Sequence, residues 1–158
     1  MLAAFSHFAF TVSDIERSLV WYRDVLGLEL VVRQRQDNEY TRAMVGIPEA
    51  LLEVAEFRIP RSSSEGVDVM LELIEYVSPR GALAELRTSN VGVAHASFVV
   101  DDIHGEYERL RLAGVSFVSA PVAITAGVNT GGYGCYFRDP DGITLELFQP
   151  PAPSESGP

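Results

Sequence analysis

The feature that most constrains this chain is an internal repeat. Residues 7–15 read HFAFTVSDI and residues 95–103 read HASFVVDDI, and the two stretches coincide at five of nine positions without a gap. Each stretch alternates as a strand does and then enters a helical pattern that ends near a glycine, Gly27 in the first half and Gly114 in the second. A repeat of this kind indicates that one strand-and-helix unit is used twice.

The two halves also end alike. Residues 69–76 read VMLELIEY and residues 143–150 read ITLELFQP, so both contain Leu-Glu-Leu within a run rich in strand-forming residues. Each half therefore carries one histidine on its first predicted strand and one glutamate on its last: His7 and Glu72, then His95 and Glu146.

These four residues are predicted to project from strand faces that are otherwise apolar. Side chains alternate along a strand, so each shares its face with the residues two positions away. The predicted neighbours, which would line a substrate cleft, are Ala9, Thr11, Met70, Ile74, Ser97, Val99, Thr144 and Phe148. A charge on an apolar face is costly unless it is paired or binds a metal. Two histidines and two glutamates suit one divalent ion, such as nickel, cobalt, zinc, iron or manganese, with positions left for water or substrate.

Each residue taken alone has a plainer interpretation. A single histidine in a strand is usually a hydrogen-bonded structural residue, and a single glutamate there usually faces solvent. The coincidence of four such residues at equivalent points of two repeats favours a metal site. His104 has no such support and is predicted as a solvated helix residue. Cys135 has no histidine nearby in sequence to activate it, so it is predicted as a small strand residue and not a nucleophile.

Local patterns predict the remaining elements. Ser13 and Glu16 fit a capping box at the start of the first helix. The helix has a core-facing stripe made of Ile15, Leu19, Tyr22 and Leu26. Further strands are predicted at 30–36, 52–60, 115–118 and 132–137, with a short helix at 81–87. The first half has 14 more residues between its histidine and its glutamate, mostly in the stretch 41–54 and in the loop 61–66, which is expected to be mobile.

Composition excludes several classes of partner. The chain has 158 residues, 47% of them hydrophobic, with a formal net charge of −10 and no cluster of Lys or Arg, which disfavours nucleic acid and anionic membranes as partners. No apolar run approaches the roughly 18 residues of a membrane span, and a basic region followed by an apolar one is missing at the N-terminus. With a single cysteine, a cytoplasmic protein is expected.

The chain resembles the vicinal oxygen chelate superfamily, which contains glyoxalase I, bleomycin-resistance proteins, methylmalonyl-CoA epimerase and extradiol dioxygenases. The repeat, the DPDG turn at 139–142 before a strand ending in LEL, and the order His, Glu, His, Glu carry this resemblance, which covers residues 5–148. It implies an α+β fold in which two βαβββ modules pair into an open, cleft-forming β-sheet barrel with flanking helices. It also places four residues at the metal-ligand positions: His7, Glu72, His95 and Glu146.

The resemblance implies a division of the chain as well. The first module would span 1–80, a connecting segment 81–90, the second module 91–149 and a disordered tail 150–158. A homodimer is the expected assembly. Members of the superfamily differ in chemistry, so the fold alone does not select a reaction.

Two departures bear on the reaction. Glyoxalase I has a glutathione-binding arginine four residues after its first ligand and an asparagine four residues after its second, where this chain has Thr11 and Tyr76. Dependence on glutathione is therefore not expected. Extradiol dioxygenases use two histidines and one glutamate on ferrous iron, but the upstream histidine of their signature is replaced here by GVNTGG at 127–132. The stretches 71–81 and 92–103 resemble the epimerase more closely.

The expected function is a metalloenzyme of lyase, isomerase or epimerase type that acts on a small molecule with vicinal oxygens. The metal would polarise a carbonyl oxygen and stabilise an enediolate while Glu146 moves the adjacent carbon-bound proton. Glu72 would share that role or only bind the metal. Tyr136 is either a hydrogen-bond donor behind the ligands or a buried core residue. The alternatives are a ring-cleaving dioxygenase and a metal-free drug-binding protein that uses the same cleft.

Overall fold

The computed structural model describes residues 4–59 and 69–153. The chain divides between Ala84 and Glu85 into two compact units, here called the N-terminal unit and the C-terminal unit. The loop 61–66, which the sequence predicts to be mobile, lies outside the described residues, as does most of the predicted tail 150–158. Across the described ranges, no helix has both the length and the apolar character needed to cross a membrane.

The N-terminal unit is a four-stranded sheet with two helices. Its elements are β1 (His7–Thr11), α1 (Ile15–Val20), a π-helical turn (Trp21–Val25), β2 (Glu29–Gln36), α2 (Glu39–Val45), β3 (Leu51–Arg58) and β4 (Met70–Ser78). The strand order is β1-β4-β3-β2, with β1 parallel to β4 and the other neighbours antiparallel. The stretch 41–54, part of the longer first half, forms most of α2 and the start of β3.

The C-terminal unit repeats this plan with a broken edge strand. Its elements are β5 (His95–Val99), α3 (Ile103–Leu112), β6 (Ser116–Phe117), β7 (Val122–Ala123), β8 (Tyr133–Arg138) and β9 (Thr144–Gln149). The order is β5-β9-β8-β6, and β7 also pairs with β8, so two short strands take the place of β2. The predicted α+β class is confirmed. The helix predicted at 81–87 is wrong, because this stretch has no regular structure.

The two units share one pairing register. In the parallel pairs, Ala9 lies opposite Glu72 and Ser97 lies opposite Glu146. The antiparallel pairs continue the equivalence on the next strand. Equivalent positions there are Val54 and Gly134, Ala55 and Cys135, Glu56 and Tyr136, Phe57 and Phe137, and Arg58 and Arg138. The repeat therefore extends to every strand pair around the two glutamates.

Aspartates begin the first helix of each unit. Asp14 has an extended backbone, and its carboxylate accepts a hydrogen bond from the Arg17 amide at 3.0 Å. Asp102 is the N-cap of α3, and its side chain accepts a backbone hydrogen bond in the same way. The predicted capping box of Ser13 and Glu16 is wrong by one residue, because the chain turns helical after Asp14, and aspartate satisfies the free amides of the first turn well. The Ser13 hydroxyl instead accepts a hydrogen bond from the Arg17 guanidinium at 3.0 Å.

A second contact at each helix start is duplicated as well. The Ile15 amide donates to Glu75 Oε2 at 2.9 Å, and the Ile103 amide donates to Gln149 Oε1 at 2.9 Å. Glu75 and Gln149 each lie three residues after the site glutamate of their unit. Each last strand therefore fixes the helix start of its unit with a side-chain oxygen, a contact that local patterns do not predict.

The π-helical turn, Trp21–Val25, accounts for a difference in length between the two helical segments. The terminal glycine Gly27 lies 12 residues after the first helical residue, Ile15, in the N-terminal unit, whereas Gly114 lies 11 residues after Ile103 in the C-terminal unit. Both glycines have a positive φ, 78° and 86°, as helix ends commonly require. A π turn holds one more residue than an α turn, so it absorbs the insertion without moving the helix end.

The core of each unit lies between its helix and one sheet face. Ile15, Leu19 and Tyr22 are buried, which confirms the predicted stripe at these positions. They pack with the inward residues of β3 and β4, and Tyr22 contacts Phe57 with ring centroids 5.9 Å apart. The buried residues of the C-terminal unit include Ile103, Leu110, Phe137, Leu145 and Leu147. The histidine and the glutamate of each unit lie on the other face of its sheet, part of which is covered in the N-terminal unit by a second apolar cluster of Ala50, Leu52 and Val54.

Candidate functional site

The first His–Glu pair lies on two parallel strands of the N-terminal unit. His7 on β1 is opposite Met70, two residues before Glu72 on β4, so both side chains project from one sheet face. His7 Nε2 is 3.6 Å from Glu72 Oε2. The side chains are 49% and 16% exposed, respectively, so the imidazole reaches solvent and the carboxylate is mostly covered.

The second pair repeats this arrangement in the C-terminal unit. His95 on β5 is opposite Thr144, two residues before Glu146 on β9. His95 Nε2 is 3.3 Å from Glu146 Oε2, and the side chains are 42% and 21% exposed. The ring of Tyr136, on β8 across from Glu146, lies with its centroid 5.2 Å from that of His95.

Each pair supplies two donor atoms of the kind that a divalent metal ion binds. An imidazole nitrogen and a carboxylate oxygen are the donors that borderline ions such as zinc, iron or nickel accept. Metal bonds of about 2.1 Å place neighbouring tetrahedral ligand atoms about 3.4 Å apart, close to the N–O separations found here. The rigid strands fix these separations, and the exposed imidazole edges leave a route of entry.

The four predicted ligands are thus found as two pairs. Within the described part of the chain, no group of three or more His, Cys, Asp and Glu side chains is placed to hold a metal ion. Binding of one ion by His7, Glu72, His95 and Glu146 together therefore stays a prediction.

Glu72 has an acidic neighbour. Glu56 lies directly opposite it on β3, on the same sheet face. Burial raises the pKa of Glu72; His7 opposes this shift, and the charge of Glu56 adds to it. Other strand carboxylates of this unit have arginine partners, as Glu53 does in Arg33 at 2.5 Å. A cation near Glu72 would therefore relieve the electrostatic cost of its charged form, which His7 offsets only in part.

Glu146 lies beside a cavity. Glu146 and Tyr136 form part of the wall of a cavity of about 280 Å³ within the C-terminal unit. Cys135, on β8 beneath it, is buried, and this burial together with the charge of Glu146 raises the pKa of its thiol to about 11. Cys135 is therefore a strand residue with little thiolate at neutral pH, in agreement with the prediction that it is no nucleophile.

The predicted cleft positions divide into open and covered ones. Ala9, Thr11, Ser97 and Val99 are exposed, while Met70, Ile74, Tyr136 and Phe148 are partly buried. Thr144 is 1% exposed, and its hydroxyl accepts a hydrogen bond from Arg138, so it supports the sheet and does not line an open surface. His104 is exposed on α3, where its ring meets that of Tyr133 edge to face at 5.2 Å.

Sequence reasoning missed residues on the third strand of each unit and beyond. Glu56 and Gly134 were not among the predicted site residues, nor was the segment 118–124, which forms one side of the cavity. One signal was present: the motif Glu-Phe-Arg at 56–58 matches Tyr-Phe-Arg at 136–138. Extending the repeat through this motif would have paired Glu56 with Tyr136 and Val54 with Gly134.

Comparison with known proteins agrees with the fold. The profile of the Glyoxalase/Bleomycin resistance protein/Dioxygenase superfamily matches residues 4–147. The chain is 32% identical over 153 residues to a 2-epi-5-epi-valiolone epimerase from Actinomyces sp., covering 94% of this chain and 80% of the relative. This protein therefore belongs to the Glyoxalase/Bleomycin resistance protein/Dioxygenase superfamily.

Two further relatives mark the breadth of this family. A lactoylglutathione lyase from Pseudomonas aeruginosa is 28% identical over 163 residues, with 97% of this chain and 86% of the lyase covered. The crystal structure of a glyoxalase family protein from Bacillus cereus aligns with a TM-score of 0.74 at 21% identity, covering 96% of each chain. This structural likeness supports the fold and leaves the reaction open.

Proposed function

We propose that this protein is a metal-dependent enzyme of isomerase or epimerase type that moves a carbon-bound proton next to the carbonyl of a small hydroxyketone. The observation that carries the proposal is the duplicated His–Glu pair, held at the same register in both units. The relative that is 32% identical is itself named as an epimerase, which supports this type over a lyase.

The residues that would hold the metal are His7, Glu72, His95 and Glu146. A divalent ion bound there supplies a Lewis acid that polarises the substrate carbonyl and makes the neighbouring C–H bond more acidic. The donor atoms do not identify the ion, because histidine and glutamate bind nickel, cobalt, zinc, iron and manganese.

Glu146 is proposed as the carboxylate that takes the proton. It lies beside a cavity in which a substrate carbon can approach its oxygens, and 21% of its side chain is exposed. Epimerisation removes a proton from one face of a carbon and returns a proton to the other face, so a second proton donor is needed. Glu72 is the candidate for that second role, and water is its alternative.

Glutathione is not proposed as a cosubstrate. Tyr76 packs against the apolar cluster of Ala50, Leu52 and Val54, so its side chain serves the fold at a position where glyoxalase I has an amide. Thr11 ends β1 with an exposed side chain that carries no charge for a carboxylate of glutathione. The substrate is therefore proposed to be small and to lack a peptide portion.

Proton exchange measured with and without metal tests this function. The protein would be purified without chelator, its metal content determined, and 2-epi-5-epi-valiolone and simple hydroxyketones incubated with it in deuterated buffer under anaerobic conditions. Proton NMR should show loss of one carbon-bound proton signal, and removal of the metal should abolish this loss. His95→Ala should lower metal content, and a His7→Ala, His95→Ala double variant should hold almost none.

Three results would overturn the proposal. Full metal occupancy in the double variant would refute the ligand assignment. Turnover that strictly requires ferrous iron and oxygen would identify a ring-cleaving dioxygenase. Tight binding of a drug-like molecule without metal and without any proton exchange would identify a binding protein.

A further inference from the structure

The cavity beside Glu146 lies entirely within the C-terminal unit. It measures about 280 Å³ and is open to solvent, since Val118 and Val122 in its lining are 61% and 56% exposed. The lining is mainly apolar and also includes Ala123 and Ile124. Apart from Glu146, the polar residues of its lining are Ser119, Cys135 and Tyr136, and no lining residue is basic.

The cavity arises where the edge strand bulges away from β8. The Val118 amide donates to the Tyr136 carbonyl at 2.8 Å, and Val122 pairs with Gly134. Three residues, 119–121, therefore stand opposite the single residue Cys135. The extra length must arch out of the sheet, and Pro121 within it has no amide hydrogen to donate back to the ladder. In the N-terminal unit the equivalent strand, β2, is continuous over eight residues and has only a one-residue register shift at Val31.

Gly134 leaves the cavity open on the side of Glu146. Its equivalent in the N-terminal unit is Val54, which is 1% exposed and belongs to an apolar cluster covered by Val45 and Ile47 around α2. A Cβ at Gly134 would lie 3.5 Å from Glu146 Oε1, an ordinary contact distance. A side chain at this position would thus stand beside the carboxylate and occupy the space that the bulge opens.

We infer that this cavity binds the uncharged apolar part of the substrate and that Gly134 determines how large that part can be. The inference rests on the proposed function, because it places the substrate against Glu146. The volume lies just below the roughly 300–1,000 Å³ of pockets for drug-sized ligands, so the substrate class is a small hydroxyketone, cyclic or with a short chain. No lining residue is basic, so the cavity offers no cationic side chain to a carboxylate or phosphate on the part of the substrate that it holds.

The test compares two uncharged hydroxyketones, 2-hydroxycyclohexanone and hydroxyacetone, on the full chain loaded with zinc, a diamagnetic ion that leaves nearby amide signals visible. Binding is followed by amide chemical shifts in two-dimensional NMR. Wild-type protein should show shifts at 118–124 and 134–136 with the cyclic compound. Gly134→Val should lower the affinity for the cyclic compound at least about tenfold, since a group of this size in an apolar pocket commonly changes affinity by that factor. Its affinity for hydroxyacetone should fall far less. The affinity of Gly134→Ala for the cyclic compound should lie between those of the wild type and Gly134→Val.

Gly81→Val is the matched control, because a Cβ at Gly81 meets nothing within 4 Å. It should bind both compounds as the wild type does. If Gly134→Val loses its fold, as judged by circular dichroism, Gly134→Ala carries the test alone. Unchanged affinity for the cyclic compound in a folded Gly134 variant would overturn the inference, as would shifts confined to other residues or no binding by the wild type.

The same material separates this inference from the proposed function. Specific binding at 118–124 without proton exchange under any metal supports the pocket and refutes the reaction. Proton exchange in which Gly134→Val has the same kcat/KM as the wild type for each of the two hydroxyketones supports the reaction and refutes the pocket.

Discussion

In the N-terminal unit Glu72 faces another carboxylate, Glu56, whereas in the C-terminal unit the equivalent Glu146 faces the ring of Tyr136 and a cavity. The backbone pairing around the two glutamates is the same in both units, and so is the histidine two positions down the neighbouring strand. The differences lie in side chains one strand further away. The repeat has thus kept the residues suited to hold an ion and has diverged in those beside them.

Packing on the open sheet face shows the same divergence. In the N-terminal unit, Val45 and Ile47 cover Val54 and part of β4 with an apolar cluster. In the C-terminal unit the equivalent of Val54 is Gly134, and the bulged edge strand leaves a cavity there. We call each His–Glu pair with its surroundings a half-site. This contrast leads us to propose that the substrate binds at the C-terminal half-site and that the N-terminal half-site mainly binds metal.

The largest effect is expected where the two units are most alike. Phe57 and Phe137 occupy equivalent positions and are both 0% exposed. Truncation of either to alanine should cost about 3–5 kcal/mol of the free energy of unfolding, through lost burial and a remaining cavity. Urea denaturation would measure it, with Phe5→Ala, an aromatic 61% exposed, as a nearly neutral control. A small loss at only one of the two would show that the cores are not equivalent.

The next effect separates the two half-sites. Glu146→Gln, assayed at saturating metal, should slow exchange of the substrate proton with deuterium by a factor of about 100 or more, the scale of one general base. Glu72→Gln should slow it less and should mainly weaken metal binding. Both rates come from proton NMR, and metal affinity from titration with a competing chelator. Equal losses in rate, or a larger one at Glu72, would contradict the assignment of the substrate to the C-terminal half-site.

A smaller effect concerns the contacts that fix the helix starts. Glu75→Ala should cost about 1–3 kcal/mol because it leaves the buried Ile15 amide without its acceptor. Gln149→Ala should cost about 1 kcal/mol, because the Ile103 contact is only partly buried. Glu75→Gln copies the C-terminal unit and should lose only about 0.3–1 kcal/mol, the effect of a charge at a helix N-terminus. Thermal unfolding measures all three, and a full loss in Glu75→Gln would disprove that the two contacts are equivalent.

The smallest effect is expected at the N-caps. Asp14→Ala and Asp102→Ala should each cost about 1 kcal/mol, and Asp→Ser at the same positions should restore most of it. Ser13→Ala serves as the comparison, since Ser13 is not the cap. If Ser13→Ala destabilises as much as Asp14→Ala in thermal unfolding, then the sequence-based capping box describes the helix start better.

The sequence by itself determined the repeat, the class of fold and the positions of both His–Glu pairs. These follow from short-range regularities: alternation along a strand places His7 and Glu72 on open faces, and the 3.6-residue period of a helix buries Ile15, Leu19 and Tyr22. Because both halves carry the same pattern, each strengthened the interpretation of the other.

Only the tertiary structure decided what surrounds the pairs. Strand register sets which residue faces Glu72 or Glu146, and register depends on pairing between residues far apart in sequence. The same is true of the oxygen from Glu75 that holds the start of α1, 60 residues earlier. The bulge at 119–121 and the missing side chain at Gly134 on β8 make a cavity only because the two segments pair side by side in the sheet. Local pattern states which side chains are available, and long-range pairing determines which of them meet.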